Sequence, residues 1–92
     1  GRANAQYSDL QAIHHLANGQ VETLQLLIKE ENKMTGKPLS QLNFKKDILI
    51  AAIIRNGKSI FPTGEDTLQV GDKLVVITLL SNITKIYDLL ER

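Results

Sequence analysis

Hydrophobic positions in this chain fall into short runs separated by Gly, Pro, Asn and Asp. The most apolar run is residues 47–55, DILIAAIIR, where seven of nine residues are Ile, Leu or Ala. Simple strand alternation puts Ile48, Ile50, Ala52 and Ile54 on one face and Leu49, Ala51 and Ile53 on the other. Both faces are apolar, the pattern of a strand covered on both sides. A helix also fits the run, but its four isoleucines favour a strand. Residues 73–79, KLVVITL, repeat the pattern, with Leu74 and Val76 opposite Val75, Ile77 and Leu79. A chain this short covers one face of a small sheet with its own elements and has little left for the other. The second face is therefore expected to be covered from outside.

Other elements follow from the same patterns. Residues 8–16 support two readings. Ser8 with Gln11 resembles a capping box, and Leu10, Ile13, His14 and Ala17 lie at helical spacing. Against this, Asn18-Gly19 is a hairpin signal and the following run alternates, which makes residues 10–16 a strand. Residues 20–29 read as a strand with Glu22, Leu24, Leu26 and Ile28 on one face. Residues 30–36 are polar and turn the chain. Pro38 suits the first turn of a short helix tacked down by Leu39 and Leu42. Asn56-Gly57 predicts a hairpin that brings residues 59–61 beside the central strand, ended by Pro62. Residues 67–70 read as a brief extended segment. Ser81 suits the N-cap of a final helix of about ten residues. Its apolar stripe is Ile83, Ile86, Tyr87 and Leu90, opposed by Lys85, Asp88 and Glu91. The predicted fold class is α+β: a small mixed β-sheet with a short helix and a C-terminal amphipathic helix on one face.

Composition narrows the function. The 92 residues are enough for one domain with a modest core, which association would help to stabilise. Formal net charge is +1, the charges are mixed along the chain, and there are two Phe, two Tyr and no Trp. That excludes the basic stripe and stacking aromatics of a nucleic-acid partner. With no Cys there is no disulfide or thiolate metal site. No apolar run approaches a membrane span and no signal peptide is visible, so direct membrane insertion is not expected. The chain starts at Gly1 without Met, as a fragment or tagged chain would, and residues 1–7 read as a frayed lead-in.

Candidate chemistry is sparse. The only histidine pair, His14-His15, points in opposite directions on a strand and does not converge on a metal. Nothing pairs a nucleophile with a base and an orienter, and the adjacent carboxylates Glu65 and Asp66 read as a solvated loop. No enzyme, metal or cofactor is expected.

Four segments in order carry a resemblance: GKPLSQL from Gly36, IAAIIRNG at the end of the central strand, IFPTG after the hairpin, and LQVGDKLVVI into the last strand. Residues 36–92 thereby resemble the C-terminal regulatory domain of potassium-uptake proteins, the TrkA C-terminal or RCK C-terminal family. Residues 13–27 resemble the segment that joins such a domain to its nucleotide-binding N-terminal half. The expected division is therefore a linker at 1–19 and the regulatory domain at 20–92. The Gly-rich dinucleotide fingerprint of that N-terminal half is absent here, so its nucleotide binding does not transfer. The resemblance implies a cytoplasmic regulatory domain, peripheral to the inner face of the plasma membrane. Its partners would be a second copy of itself, as a homodimer, and a membrane-embedded potassium transporter or channel subunit. In some members the dimer cleft binds cyclic di-AMP. Some relatives bind calcium, but the 63–66 loop lacks the regular oxygen spacing of a calcium loop.

Residues near the second hairpin are the ligand candidates. Arg55 offers a planar fork suited to phosphate, and Asn56 can pair with an adenine edge. Leu49, Ile50, Ala52, Ile60, Phe61 and Pro62 supply apolar surface for a base. A plainer reading makes Asn56-Gly57 a turn, Arg55 a solvated strand end and Phe61 a core residue. The residues alone favour the plainer reading, and the resemblance brings the ligand reading level with it.

Overall fold

Alternation and turn chemistry build a five-stranded sheet. The computed structural model describes residues 8–91, so the expected lead-in at 1–7 lies outside the described residues. The strands are β1 (Leu10–Leu16), β2 (Val21–Leu27), β3 (Ile48–Arg55), β4 (Lys58–Ile60) and β5 (Lys73–Thr78). Their spatial order is β1-β2-β5-β3-β4, and every ladder is antiparallel. A parallel bridge, Thr35 with Leu68, lies outside the named strands. The open question at residues 8–16 resolves as strand. Ala17, Asn18 and Gly19 all take positive φ and turn β1 into β2. Asn56 and Gly57, at φ 53° and 76°, make the second hairpin turn.

One correction reorders the central strand. Ile50 pairs with Val76 and Ala52 with Val75, so Ala51 is an extra residue in a β-bulge. Alternation restarts after it. Ile48, Ile50 and Ile53 share the core face, opposite buried Thr78, Val76 and Leu74. Leu49, Ala52 and Ile54 share the outer face with Ile77, Val75 and Lys73. Unbroken alternation had placed Ile50 with Ala52 and Ile53 with Leu49.

The core face is covered mostly by loops. Leu24, Leu26, Ile28, Ile53, Leu74 and Val76 pack under Met34, Leu68, Ile83, Ile86 and Leu89. Met34 is buried in a segment that reads as a polar turn. Asn32 shapes it, its side chain accepting from the Met34 N–H while Thr35 Oγ1 donates to the Asn32 carbonyl. The short helix expected after Pro38 is one 3-10 turn, Leu39–Gln41. The class is α+β, with helical parts reduced to such turns.

The expected ten-residue terminal helix is likewise a single 3-10 turn, Ile86–Leu89. Ser81 does not cap it. Asn82 sits at φ 68°, which interrupts any helix starting there. Asp88 Oδ2 accepts from the Thr84 and Lys85 N–H groups, and Asp9 Oδ2 accepts from Ile86 N–H. Downstream, the Leu89 carbonyl accepts from Lys45 N–H and Glu91 N–H donates to Asn43. These long-range partners take backbone groups a helix would need. Ile83, Ile86 and Leu89 are buried, whereas Tyr87, expected in the stripe, is exposed with Lys33 Nζ 5.4 Å from its ring centre.

Candidate functional site

The outer face of the sheet has no cover from within the described chain. On it stand Val75 and Ile77 of β5 and Leu49, Ala52 and Ile54 of β3, with Leu16 and Val21 at one end. Leu49 is 58% exposed and Leu79, just past β5, is 60% exposed. Thr23, Gln25 and His14 make the β1–β2 side more polar.

A groove runs beside this face. The β3–β4 ladder pairs only Ile53, Ile54 and Arg55, and Pro62 follows close after. Residues 48–52 therefore lack a β4 partner, and the groove lies along that side of β3. It holds about 250 Å³, with Ile48, Leu49 and Ile50 on one wall and Leu39, Ser40 and Phe44 on another. Pro62, Thr63 and Gly64 close it. A second hollow of about 230 Å³ lies on the other side of Leu49, reaching Leu79 and Asp47. Asp47 takes φ 69°, a left-handed conformation that Asp tolerates at a strand entry.

The groove wall is tightly set. Leu39 N–H donates to the Asp66 carbonyl and Ser40 N–H to the Gly64 carbonyl, both at 2.9 Å. A Cβ on Gly64 would lie 3.2 Å from Ser40 Cβ, so only glycine fits there without displacement. Asp66 Oδ2 in turn accepts from Thr63 N–H.

The sequence candidates divide between two places. Leu49, Ile50 and Pro62 meet in the groove. Ala52 is on the outer face opposite Val75, and Phe61 stands 83% exposed. Ile60 pairs with Ile53 and packs on the core. Arg55 and Asn56 lie at the other end of β3, about 15 Å from Ile50 by strand rise. Asn56 forms the turn. Arg55 shares the core face with Ile53. Its Nε donates to Asp72 Oδ1 and its Nη2 to Asp72 Oδ2, each at 2.8 Å, and Nη2 also donates to the Thr67 carbonyl at 3.0 Å. Asp72, 1% exposed, further accepts from Gln69 N–H. The bond to Asp72 raises the Arg55 pKa, burial opposes this, and the charges of Asp72 and Asp66 add to it. Arg55 is thus a permanent cation fixed in a bidentate pair.

Sequence reasoning missed Asp72, which stands there only within the LQVGDKLVVI segment. The signal that finds it is register: Ile54 opposite Lys73 brings Arg55 alongside Asp72. A second buried carboxylate contact places His15 Nε2 3.3 Å from Glu22 Oε2. Both histidines are exposed, His14 toward the outer face and His15 toward Glu22. Among the described residues no three His, Cys, Asp or Glu side chains are placed to hold a metal ion. No helix there is long and apolar enough to cross a membrane.

An antiparallel sheet with one loop-covered face, one open apolar face and a groove at the edge of its third strand defines a small α+β domain. The chain belongs to the TrkA-C domain family, whose match runs over residues 24–91. It is similar to a Trk system potassium uptake protein TrkA homolog of Archaeoglobus fulgidus, 30% identical over 67 residues, 73% of this chain and 15% of that protein. It is also similar to Trk system potassium uptake protein TrkA of Azorhizobium caulinodans, 26% identical over 80 residues, 87% of this chain and 18% of that protein. The chain thus spans less than a fifth of either relative. Among solved structures it resembles one described as "Structure of RCK domain with cda", at 33% identity and TM-score 0.53, covering 59% of this chain and 76% of that one.

Proposed function

We propose that this domain is a cytosolic regulatory module of a potassium transport system. It pairs with a second copy of itself through the open sheet face and passes a change in that pair to a membrane-embedded transporter or channel subunit. The observation that carries this reading is the uncovered apolar face of β3 and β5, lying beside a groove, in a chain of the TrkA-C family. Residues 1–19 then serve as the segment from a preceding domain, with β1 folded onto the sheet edge.

The groove is proposed as the ligand site. The solved RCK relative is described as an RCK domain "with cda", and the ligand we propose for the groove of this chain is cyclic di-AMP. A two-fold symmetric ligand suits a cleft between two identical faces. Leu49, Ile50 and Pro62 offer apolar surface to an adenine, and exposed Phe61 offers a ring to stack on. Backbone groups of β3 without a β4 partner offer bonds to the base edge. Ligand binding shifts the assembly only through unequal affinity for its two arrangements.

Sedimentation at micromolar concentration is expected to show a two-subunit species, and Leu49→Asp is expected to give monomer. A monomeric unmodified domain removes the reading. Calorimetry is expected to show heat of binding with cyclic di-AMP. A dimer without such heat leaves a ligand-free dimerisation module, the reading favoured by the absence of Lys or Arg from the groove lining.

A further inference from the structure

Arg55 does not line the groove, yet its bonds reach the groove's wall. Its guanidinium holds the Thr67 carbonyl and both oxygens of buried Asp72. Thr67 pairs with Pro38 in an antiparallel bridge. One residue further on each side, the Asp66 carbonyl accepts from Leu39 N–H, and the Gly64 carbonyl accepts from Ser40 N–H. Leu39, Ser40 and Gly64 are wall residues. A Cβ on Gly64 would press on Ser40 at 3.2 Å, and the Ser40–Gly64 backbone bond ties the two segments, so a shift of one is transmitted to the other.

We propose that Arg55 is a positioning residue: through Thr67 and Asp72 it fixes the 64–67 segment against the Leu39–Gln41 turn, and thereby the width of the groove. This rests on the ligand reading above and changes what Arg55 does in it. Nε and both N–H groups of Nη2 are committed, which leaves Nη1 alone for any further acceptor. A two-pronged grip of Arg55 on a phosphate would require one of these bonds to open. The site therefore selects by the width available to a flat base and by backbone contacts, with the ion pair setting the width at a distance.

Asp72→Asn separates the two roles. It removes a buried acidic side chain that cannot attract an anionic ligand, and leaves the Arg55 cation freer. A positioning role predicts that Asp72→Asn and Arg55→Gln both speed hydrogen exchange at the Leu39 and Ser40 amides by at least about tenfold, with cyclic di-AMP bound at least about tenfold more weakly. Arg55→Lys keeps the charge but not the fork. It is expected to loosen the same amides and lose affinity with them, and it serves as the folded variant if the others unfold. Gly64→Ala moves the wall directly. It is expected to weaken binding while the Gln69 amide, bonded to Asp72, keeps its protection. Unchanged Leu39 and Ser40 protection in the Arg55 variants overturns the proposal. So does undiminished binding in Asp72→Asn or Arg55→Lys alongside loss in Arg55→Gln, since that is the signature of a direct phosphate contact. If the unmodified domain binds no cyclic di-AMP, the ligand reading fails separately, and the amide exchange alone decides whether Arg55 positions the wall.

Discussion

The Arg55–Asp72 ion pair and the His15–Glu22 contact each involve a buried carboxylate on the core face of one sheet, and they are built differently. Asp72 accepts from Arg55 at both oxygens and from Gln69 N–H. Glu22 is nearly as buried, at 8% exposed, but it meets His15 with one oxygen, and its Oε1 finds no partner among the described residues. The cations differ too. Arg55 is always charged and holds two parallel bonds, whereas the His15 side chain is 55% exposed on an edge strand and carries charge only when protonated. Burial alone therefore does not make a carboxylate structural. What matters is whether every lone pair turned away from water is met.

This contrast can be broken by mutation, and the largest effect belongs to Asp72. Asp72→Ala strands the Arg55 guanidinium and the Gln69 N–H, so it should cost about 3–5 kcal/mol in a urea titration. A cost under about 1 kcal/mol would put the two pairs on the same footing. Glu22→Leu should go the other way, stabilising the domain by about 1 kcal/mol, because an imperfectly met buried carboxylate gives way to an apolar side chain beside Leu24. A loss of similar size instead would mean that Oε1 is served by ordered water, and Glu22 would then join Asp72. The smallest effect is expected for His15→Ala. A half-exposed partner on an edge strand contributes little, so thermal unfolding should report a change within about 0.5 kcal/mol.

The same contrast explains what was legible in the sequence. Strands, both Asn-Gly turns and the two-sided character of β3 and β5 depend on neighbours in the chain, and those patterns are local. The terminal segment was misread because Ile83, Ile86, Tyr87 and Leu90 fit a helical stripe. The backbone there instead bonds to residues 43–45 and Asp9, which no local pattern reveals. Met34 was hidden for the same reason: its burial depends on the sheet beneath it. In the candidate site, Leu49, Ile50 and Pro62 were within reach of hairpin logic. The commitment of Arg55 to Asp72 was not, since it depends on the register of β3 against β5. Local alternation also had no means of locating the Ala51 bulge.

That bulge makes β3 a question of parity. Leu49 and Arg55 both carry odd numbers, and in an unbroken strand they would face the same way. With one residue set aside at 51, Leu49 points to the open face and Arg55 to the core. Losing the bulge residue itself would leave a regular strand with the same two facings, because five unbroken steps also put Leu49 and Arg55 on opposite faces. Losing or gaining one residue while the bulge stays would reverse one of them. Either Leu49 would turn inward, or Arg55 would turn away from Asp72 and leave it buried and alone. Exposed turns such as Asn56-Gly57 tolerate gains and losses of length anywhere along them. Within β3 a single residue can be lost only at the bulge.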